Sequence, residues 1–311
     1  MLNPVHLRTL TTVIRTGSFA DAARRLGYTG SAISQQIAAL ERAVKMPLFE
    51  RDAHSIRPTP AGNFIAERAS ESLAALSSLE DDIRDIFQGA TGRLRIGSFP
   101  TASQRLLPVM LAAYAHDHPD VEIALDEGEP AELVPQLQVA ELDLALVFRY
   151  NLVPHSWPRT LNHTPLFDED LVLLLPKGHR LADAGPVPIG ALAEETWIST
   201  REGTSGASNL QRMCAGAGFT PQVDYRSNNY EVIRNLVGTG LGIAFIPTLG
   251  YVPHGDVVAA SLADRKMYRR VTVLYGSKRA NPALVGAVEA LQSAVRALGD
   301  LTPGMTPVFT D

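Results

Sequence analysis

Ser31, Ser34, Gln35 and Gln36 crowd two hydroxyls and two amides into six residues near the start of the chain. Side chains of this kind both donate and accept hydrogen bonds, which is what reading the edges of base pairs in a DNA major groove requires. A polar, basic turn through Arg51 and Arg57 follows them and adds positive charge nearby. On the bare pattern, a three-helix bundle with a polar face fits these residues as well as a DNA contact does. The local charge tips the balance toward DNA.

Other groupings suggest chemistry and then fail on context. Gly238 to Gly242 has the look of a nucleotide-binding loop, but it follows a helix and precedes a strand, the reverse of the order that cradles phosphate. Asp168, Glu169 and Asp170 read as a solvated turn, because nothing nearby completes a metal ligand set. His116 and His118 are explained by capping and surface exposure more simply than by zinc. Cys214 reads as a packed core thiol with no second cysteine to join it in redox sensing. There is no Gly-x-Ser-x-Gly elbow and no His-Glu-x-x-His, so the sequence reads as non-enzymatic and implies no cofactor.

The elements that carry the amide cluster follow from helical spacing. Leu2, Val5, Leu7, Leu10, Val13 and Ile14 mark a first helix ending at Gly17. Ser18 opens a short second helix, Phe19 to Leu26, with Asp21 placed to reach back to the cap. Thr29 caps a third, from about Gly30 to Val44, with Ile33, Ile37 and Leu40 on one face. Two short helices across the turn Gly27-Tyr28-Thr29 have the arrangement of a helix-turn-helix, in which the second helix enters the major groove. From Thr59 to about Phe87 a single long helix carries Gly62, Ile65, Ala69, Leu73, Leu76, Leu79, Ile83 and Ile86 close to a coiled-coil repeat. That stripe is expected to pack against the same helix of a second subunit. Gly89 and Gly92 then mark a hinge.

Charge divides the chain at the same place. Residues 1–60 hold eight Lys/Arg against four Asp/Glu, and the remainder 20 against 29, within an overall net charge of −5. A small basic module on an acidic body fits a polyanion partner for the first part only. With 311 residues, 45% hydrophobic, and no run of apolar residues long enough to span a bilayer, a multidomain protein without membrane insertion is expected. One cysteine and no signal-like N-terminus point to the cytoplasm.

Beyond the hinge, strands and helices alternate: strands at 94–97, 121–125 and 142–147, helices at 106–115 and 133–139. A second such unit has strands near 171–175, 197–199, 223–225 and 243–246. A late strand at 271–274 and a helix from Pro282 to Leu298 complete the pattern. This rhythm implies parallel sheets in two lobes, with ligands bound where the lobes face each other, outside the carboxyl ends of strands.

Several blocks together resemble the LysR-type transcriptional regulators. They are Phe19-Ala-Asp-Ala-Ala-Arg-Arg-Leu26, Ser31-Ala-Ile-Ser-Gln-Gln-Ile-Ala-Ala-Leu-Glu41, Pro47-Leu-Phe-Glu-Arg51 and Pro58-Thr-Pro-Ala-Gly62, with Pro176-Lys-Gly-His179 and Gly240 to Pro247 further on. The resemblance covers essentially the whole chain. It implies an α+β multidomain fold: a winged helix-turn-helix over 1–58, a linker and dimerisation helix over 59–89, and a two-lobed effector domain of periplasmic-binding-protein type over 90–311. Lobe I would comprise about 92–150 and 270–298, and lobe II about 161–268. The implied partners are promoter DNA, a small-molecule effector and further copies of the chain, as a homodimer or dimer of dimers. The alternative is a small-molecule binding protein or enzyme with an N-terminal assembly module.

By the same resemblance the base-contacting positions fall on Gly30, Ser31, Ser34 and Gln35. Many members have Gln where this chain has Gly30, and Arg where it has Gln35, so the target sequence does not transfer. Arg51 and Arg57 fall on the wing and are expected at phosphates. The effector cleft falls on Pro100, Thr101, Ala102 and Ser103, then Phe148 and Arg149, Thr200 and Arg201, Asn228, Phe245 and Pro247. Thr101 and Ser103 would offer hydroxyls at a helix start, and Arg149 and Arg201 would clamp an anion from facing lobes, making a small carboxylate the expected effector.

Overall fold

In the computed structural model, residues 2–52, 55–88, 92–253, 255–276 and 282–309 are described. Asn3 caps α1 (Pro4–Thr16) by accepting the Val5 N–H at 2.9 Å. Ser18 caps α2 (Phe19–Leu26) through the Asp21 N–H, and Thr29 caps α3 (Gly30–Val44) through the Ala32 N–H at 3.2 Å. Such caps each contribute about 1 kcal/mol. The Asp21 carboxylate pairs with Arg24, one turn on. Gly27, at φ 69, makes the left-handed turn between α2 and α3 that a side chain would resist.

The basic turn expected after α3 is a hairpin. Strands β1 (Phe49–Asp52) and β2 (Ser55–Pro58) pair antiparallel, with Glu50 opposite Arg57 and Arg51 opposite Ile56. The long helix α4 (Pro60–Gln88) begins against this hairpin. A Cβ on Gly62 would lie 2.3 Å from the Leu48 carbonyl oxygen, so only glycine permits that approach.

The apolar stripe of α4 divides in two. Ala66, Ala69 and Leu73 are buried in one core with Leu10, Val13, Ile33, Ile37 and Leu40, whereas Leu79 and Ile83 are 52% and 46% exposed. The sequence reading gave the whole stripe to a partner subunit. Three short helices and a hairpin supply too little apolar surface for a closed core, and the first half of α4 completes it. The side chain of Ile86 and residue Gly89 lie outside the described residues.

Lobe I is a mixed sheet in the order β4-β3-β5-β11-β6. Strands β3 (Arg93–Ser98), β4 (Glu122–Glu127) and β5 (Leu144–Tyr150) run parallel, as the alternating pattern predicts. The connecting helices are α5 (Pro100–Arg105), α6 (Leu107–Asp117) and α7 (Pro130–Gln138). Strand β6 (Leu161–Pro176) is far longer than its predicted segment. Its first part pairs with β11 (Tyr268–Gly276) and β12 (Met305–Pro307). From Leu171 on it pairs instead with β9 (Ala244–Pro247) and β10 (Val257–Ala260), in lobe II. One strand thus threads both lobes, and they meet near Asp170 and Leu171.

Lobe II adds β7 (Thr196–Ser199) paired with β8 (Gln222–Arg226), and helices α8 (Ser205–Ala215) and α9 (Tyr230–Gly238). Helix α10 (Pro282–Gly299) returns to pack on α6. The N-terminal helices and α4 touch lobe I directly: Arg15 pairs with Glu141 at 3.2 Å, and the Ser77 hydroxyl donates to the Ala140 carbonyl. With its amide oriented so that both neighbours are satisfied, Gln136 donates to Asp126 at 3.1 Å and accepts from Arg25 at 2.7 Å. Among the described residues no helix is long and apolar enough to cross a membrane.

Candidate DNA-reading face and interlobe cleft

Helix α3 has one face locked in the core by Ile33, Ile37 and Leu40, which fixes what its opposite face can present. Ser31 and Gln35 are exposed and Ser34 half-buried on the first turns, with the Ser31 and Thr29 hydroxyls 3.0 Å apart. Gln36 differs from the expectation for it. It is half-buried, and its amide oxygen accepts from the Thr9 hydroxyl on α1. One residue beyond Gln35 on a 100° helical step, it turns toward the neighbouring helix and not outward. Arg57 is exposed on β2, on the same small domain. Arg51 has its backbone in β1, and its side chain lies outside what is described.

The cleft between the lobes is bounded by Tyr150 on β5 and, across from it, by Ser199 and Thr200, Asn209 on α8, Tyr230 on α9 and Phe245 on β9. The Tyr150 and Tyr230 hydroxyls lie 3.5 Å apart across the lobes. Burial raises the pKa of both phenols, so each stays protonated and able to donate. Asn209 is 3% exposed, and its side-chain oxygen has no partner among the described residues. Phe245 stacks on Trp197 at 5.5 Å, giving that wall an aromatic floor.

The residues assigned to the cleft from sequence are only partly brought together. Thr200 and Phe245 line it. Phe148 packs edge-on to both Phe99 (4.9 Å) and Tyr150 (5.6 Å), just beneath. Thr101 and Ala102 are buried at the start of α5, Pro100 and Ser103 lie half-exposed beside them, and Pro247 is buried at the end of β9. The Ser103 hydroxyl is buried without a partner among the described residues. Thr101 is engaged, because Arg269 donates to its hydroxyl at 2.6 Å.

The two arginines do not face each other. Arg149 alternates with Phe148 and Tyr150 on β5 and therefore emerges on the opposite side of the sheet. Arg201 is exposed at the start of the turn before α8, its N–H bound to the Asn228 side chain at 3.0 Å, and Asn228 is exposed with it. The anion clamp expected from this pair is not formed.

Sequence reasoning missed the charge that is buried. Arg269 and Glu169, 1% and 0% exposed, form an ion pair between β11 and β6. The guanidinium carbon lies 4.7 Å from the Phe99 ring centre and 4.5 Å from that of Phe148. Burial works against the arginine's charge, but the carboxylate of Glu169 outweighs it and the pKa ends above its ordinary value. The acidic run 168–170 is thus a strand segment and no solvated turn. Asp168 chelates Arg270, Glu169 holds Arg269, and Asp170 meets Lys266 at 3.1 Å. The signal was present in the alternation, since Glu169 is in phase with Phe167 and Leu171, and Arg269 with Val271 and Val273.

Residues 4–63 match the family described as bacterial regulatory helix-turn-helix protein, lysR family, and residues 87–296 match the LysR substrate binding domain. The chain belongs to the LysR family of DNA-binding transcriptional regulators. It is 32% identical over 287 residues to the HTH-type transcriptional regulator CbbR of Sinorhizobium medicae, covering 89% of this chain and 88% of that one. It is 29% identical over 301 residues to a probable hydrogen peroxide-inducible genes activator of Streptomyces viridosporus, covering 95% and 94%. A solved full-length OxyR variant from Pseudomonas aeruginosa shares the fold with a TM-score of 0.63 at 22% identity, over 100% of this chain and 99% of that one.

Proposed function

We propose that the chain reads promoter DNA through Ser31, Ser34 and Gln35 on α3, with Arg57 and Arg51 on flanking phosphates, and that a small molecule held between the lobes sets its activity. The observation that carries the first half is the exposure of Ser31 and Gln35 on a helix whose other face is locked into the core. The second half is supported by the unpartnered Asn209 oxygen in the cleft, beside two protonated phenols and the Thr200 hydroxyl. These groups suit a polar ligand with hydrogen-bonding groups of both kinds. The carboxylate expected from Arg149 and Arg201 does not carry over to this cleft. In this reading the chain works in the cytoplasm as a homodimer or dimer of dimers, and acts by binding alone, without a reaction or a cofactor.

The test is a gel shift with DNA from upstream of the chain's own gene, repeated at rising salt. Retention of one preferred fragment while overall affinity falls with salt supports the reading. Equal loss on every fragment overturns it.

A further inference from the structure

The outer side of the lobe I sheet, where Arg149 emerges, carries a second cavity. Its wall is formed by Arg149, Tyr268 and Arg270 with Asn151 and His155 from the β5–β6 connection. Arg149 and Arg270 are direct partners in the β5–β11 register, so two guanidinium groups rise side by side, an arrangement that repels itself unless each is balanced. Only one is. Arg270 is held by Asp168 through two bonds of 2.7 and 2.8 Å, whereas the exposed Arg149 guanidinium has no ion pair among the described residues.

The surroundings are built. Asn151 donates from its side chain to the Lys266 carbonyl at 3.1 Å, and exchanges two further bonds with the Tyr268 backbone. The His155 ring stands edge-on to Trp157, 4.5 Å between centres. A free planar fork, a fixed amide wall, an imidazole and a phenol around one hollow match a planar or tetrahedral oxyanion.

We propose that this cavity is a second ligand site, separate from the interlobe cleft, for a small molecule bearing a phosphate or carboxylate group. It adjoins the crossing between lobes: Tyr268 pairs with Asp170, and the Leu171 N–H donates to the Met267 carbonyl at 2.8 Å. An anion bridging the β5–β6 connection, which lies within lobe I, to the start of β11 fixes the lobe I side of the crossing. It shifts the lobe angle to the extent that it binds one angle better than the other.

Calorimetric titration of the full chain with inorganic phosphate and with benzoate, at low ionic strength, tests this. Saturable binding of at least one probe is expected, with Arg149→Ala weakening it at least tenfold. Asp168→Asn, which releases Arg270, should tighten it, an effect no merely structural role for Arg149 would give. Saturation by phosphate alone or by benzoate alone assigns the anion class. Arg57→Ala, on the DNA-side domain, should leave the titration unchanged. The proposal is overturned if neither probe saturates, if Arg149→Ala binds as the parent does, or if Arg57→Ala is the variant that abolishes binding.

Discussion

Arg269 on β11 reaches the Thr101 hydroxyl at the start of α5 with a 2.6 Å hydrogen bond while its guanidinium packs against the rings of both Phe99 and Phe148. The hydroxyl most attractive as a ligand contact in the sequence is already engaged by a cation of the protein itself. The first turn of α5 is thereby tied to the strand that meets β6 where the lobes join.

Breaking that buried pair should be costly. Glu169→Gln leaves Arg269 charged, buried and uncompensated, and is expected to lower stability by roughly 3–5 kcal/mol. The double variant Glu169→Leu with Arg269→Met should lose much less, since no stranded charge remains. Urea unfolding of the parent, Glu169→Leu, Arg269→Met and the double variant measures the coupling. Additive losses would show that the two side chains do not act as a pair.

On the DNA side, Gln35→Ala should relax base preference at one position by about 1–3 kcal/mol if its amide meets a base edge. Arg57→Ala should weaken all sequences alike and flatten the salt dependence by about one ion. Gln36→Ala should disturb α1 against α3 and leave base preference in place. Competition gel shifts with single-base operator variants separate the three.

The two halves of α4 should respond differently to the same insult. Leu73→Glu buries a charge in the core of the DNA-side domain and should unfold that domain. Leu79→Glu, on the exposed half, should leave each chain folded and weaken self-association and operator binding together. Light scattering with a melting curve distinguishes these. A Leu79→Glu protein of unchanged mass and footprint would remove the distal half from the subunit contact.

Cys214 is buried, and burial pushes its thiol up from 9.0 to about 12. At pH 8 it should fail to react with a thiol reagent in the folded chain and react fully in urea. The unfolded thiol ionises first, so this group leaves stability untouched below pH 9 and erodes it from there toward pH 12, by at most about 1.4 kcal/mol per pH unit. Tyr150 and Tyr230, raised by burial, act in the same direction. Urea midpoints between pH 8 and 11 should fall, less steeply in Cys214→Ala.

Periodicity and capping were enough to read α1 to α3 from the sequence, because Ser18, Thr29, Gly17 and Gly27 act locally and the apolar spacing is regular. The parallel strands β3 to β5 were visible for the same reason. What escaped depended on pairing between distant segments. The length of β6 is set by partners up to 140 residues away, Pro307 opposite Phe167 among them. Glu169 looked solvated because its partner is Arg269, far along the chain. Arg149 is a different case: it faces away from the cleft because it alternates with Phe148 and Tyr150 along β5, a pattern already present in the local sequence.

The contacts of Arg15 with Glu141, Ser77 with Ala140 and Arg25 with Gln136 have a mechanical meaning. They make lobe I the fixed jaw of a vice, bolted to the bench that carries the reading helix. Lobe II is the sliding jaw, guided by β6 and its crossing to β11. So long as those contacts persist, a molecule gripped between the jaws leaves α3 facing as before within its own chain. What it relocates is the outer wall of lobe II, the surface offered by α8 and α9 to whatever stands next to it in an assembly.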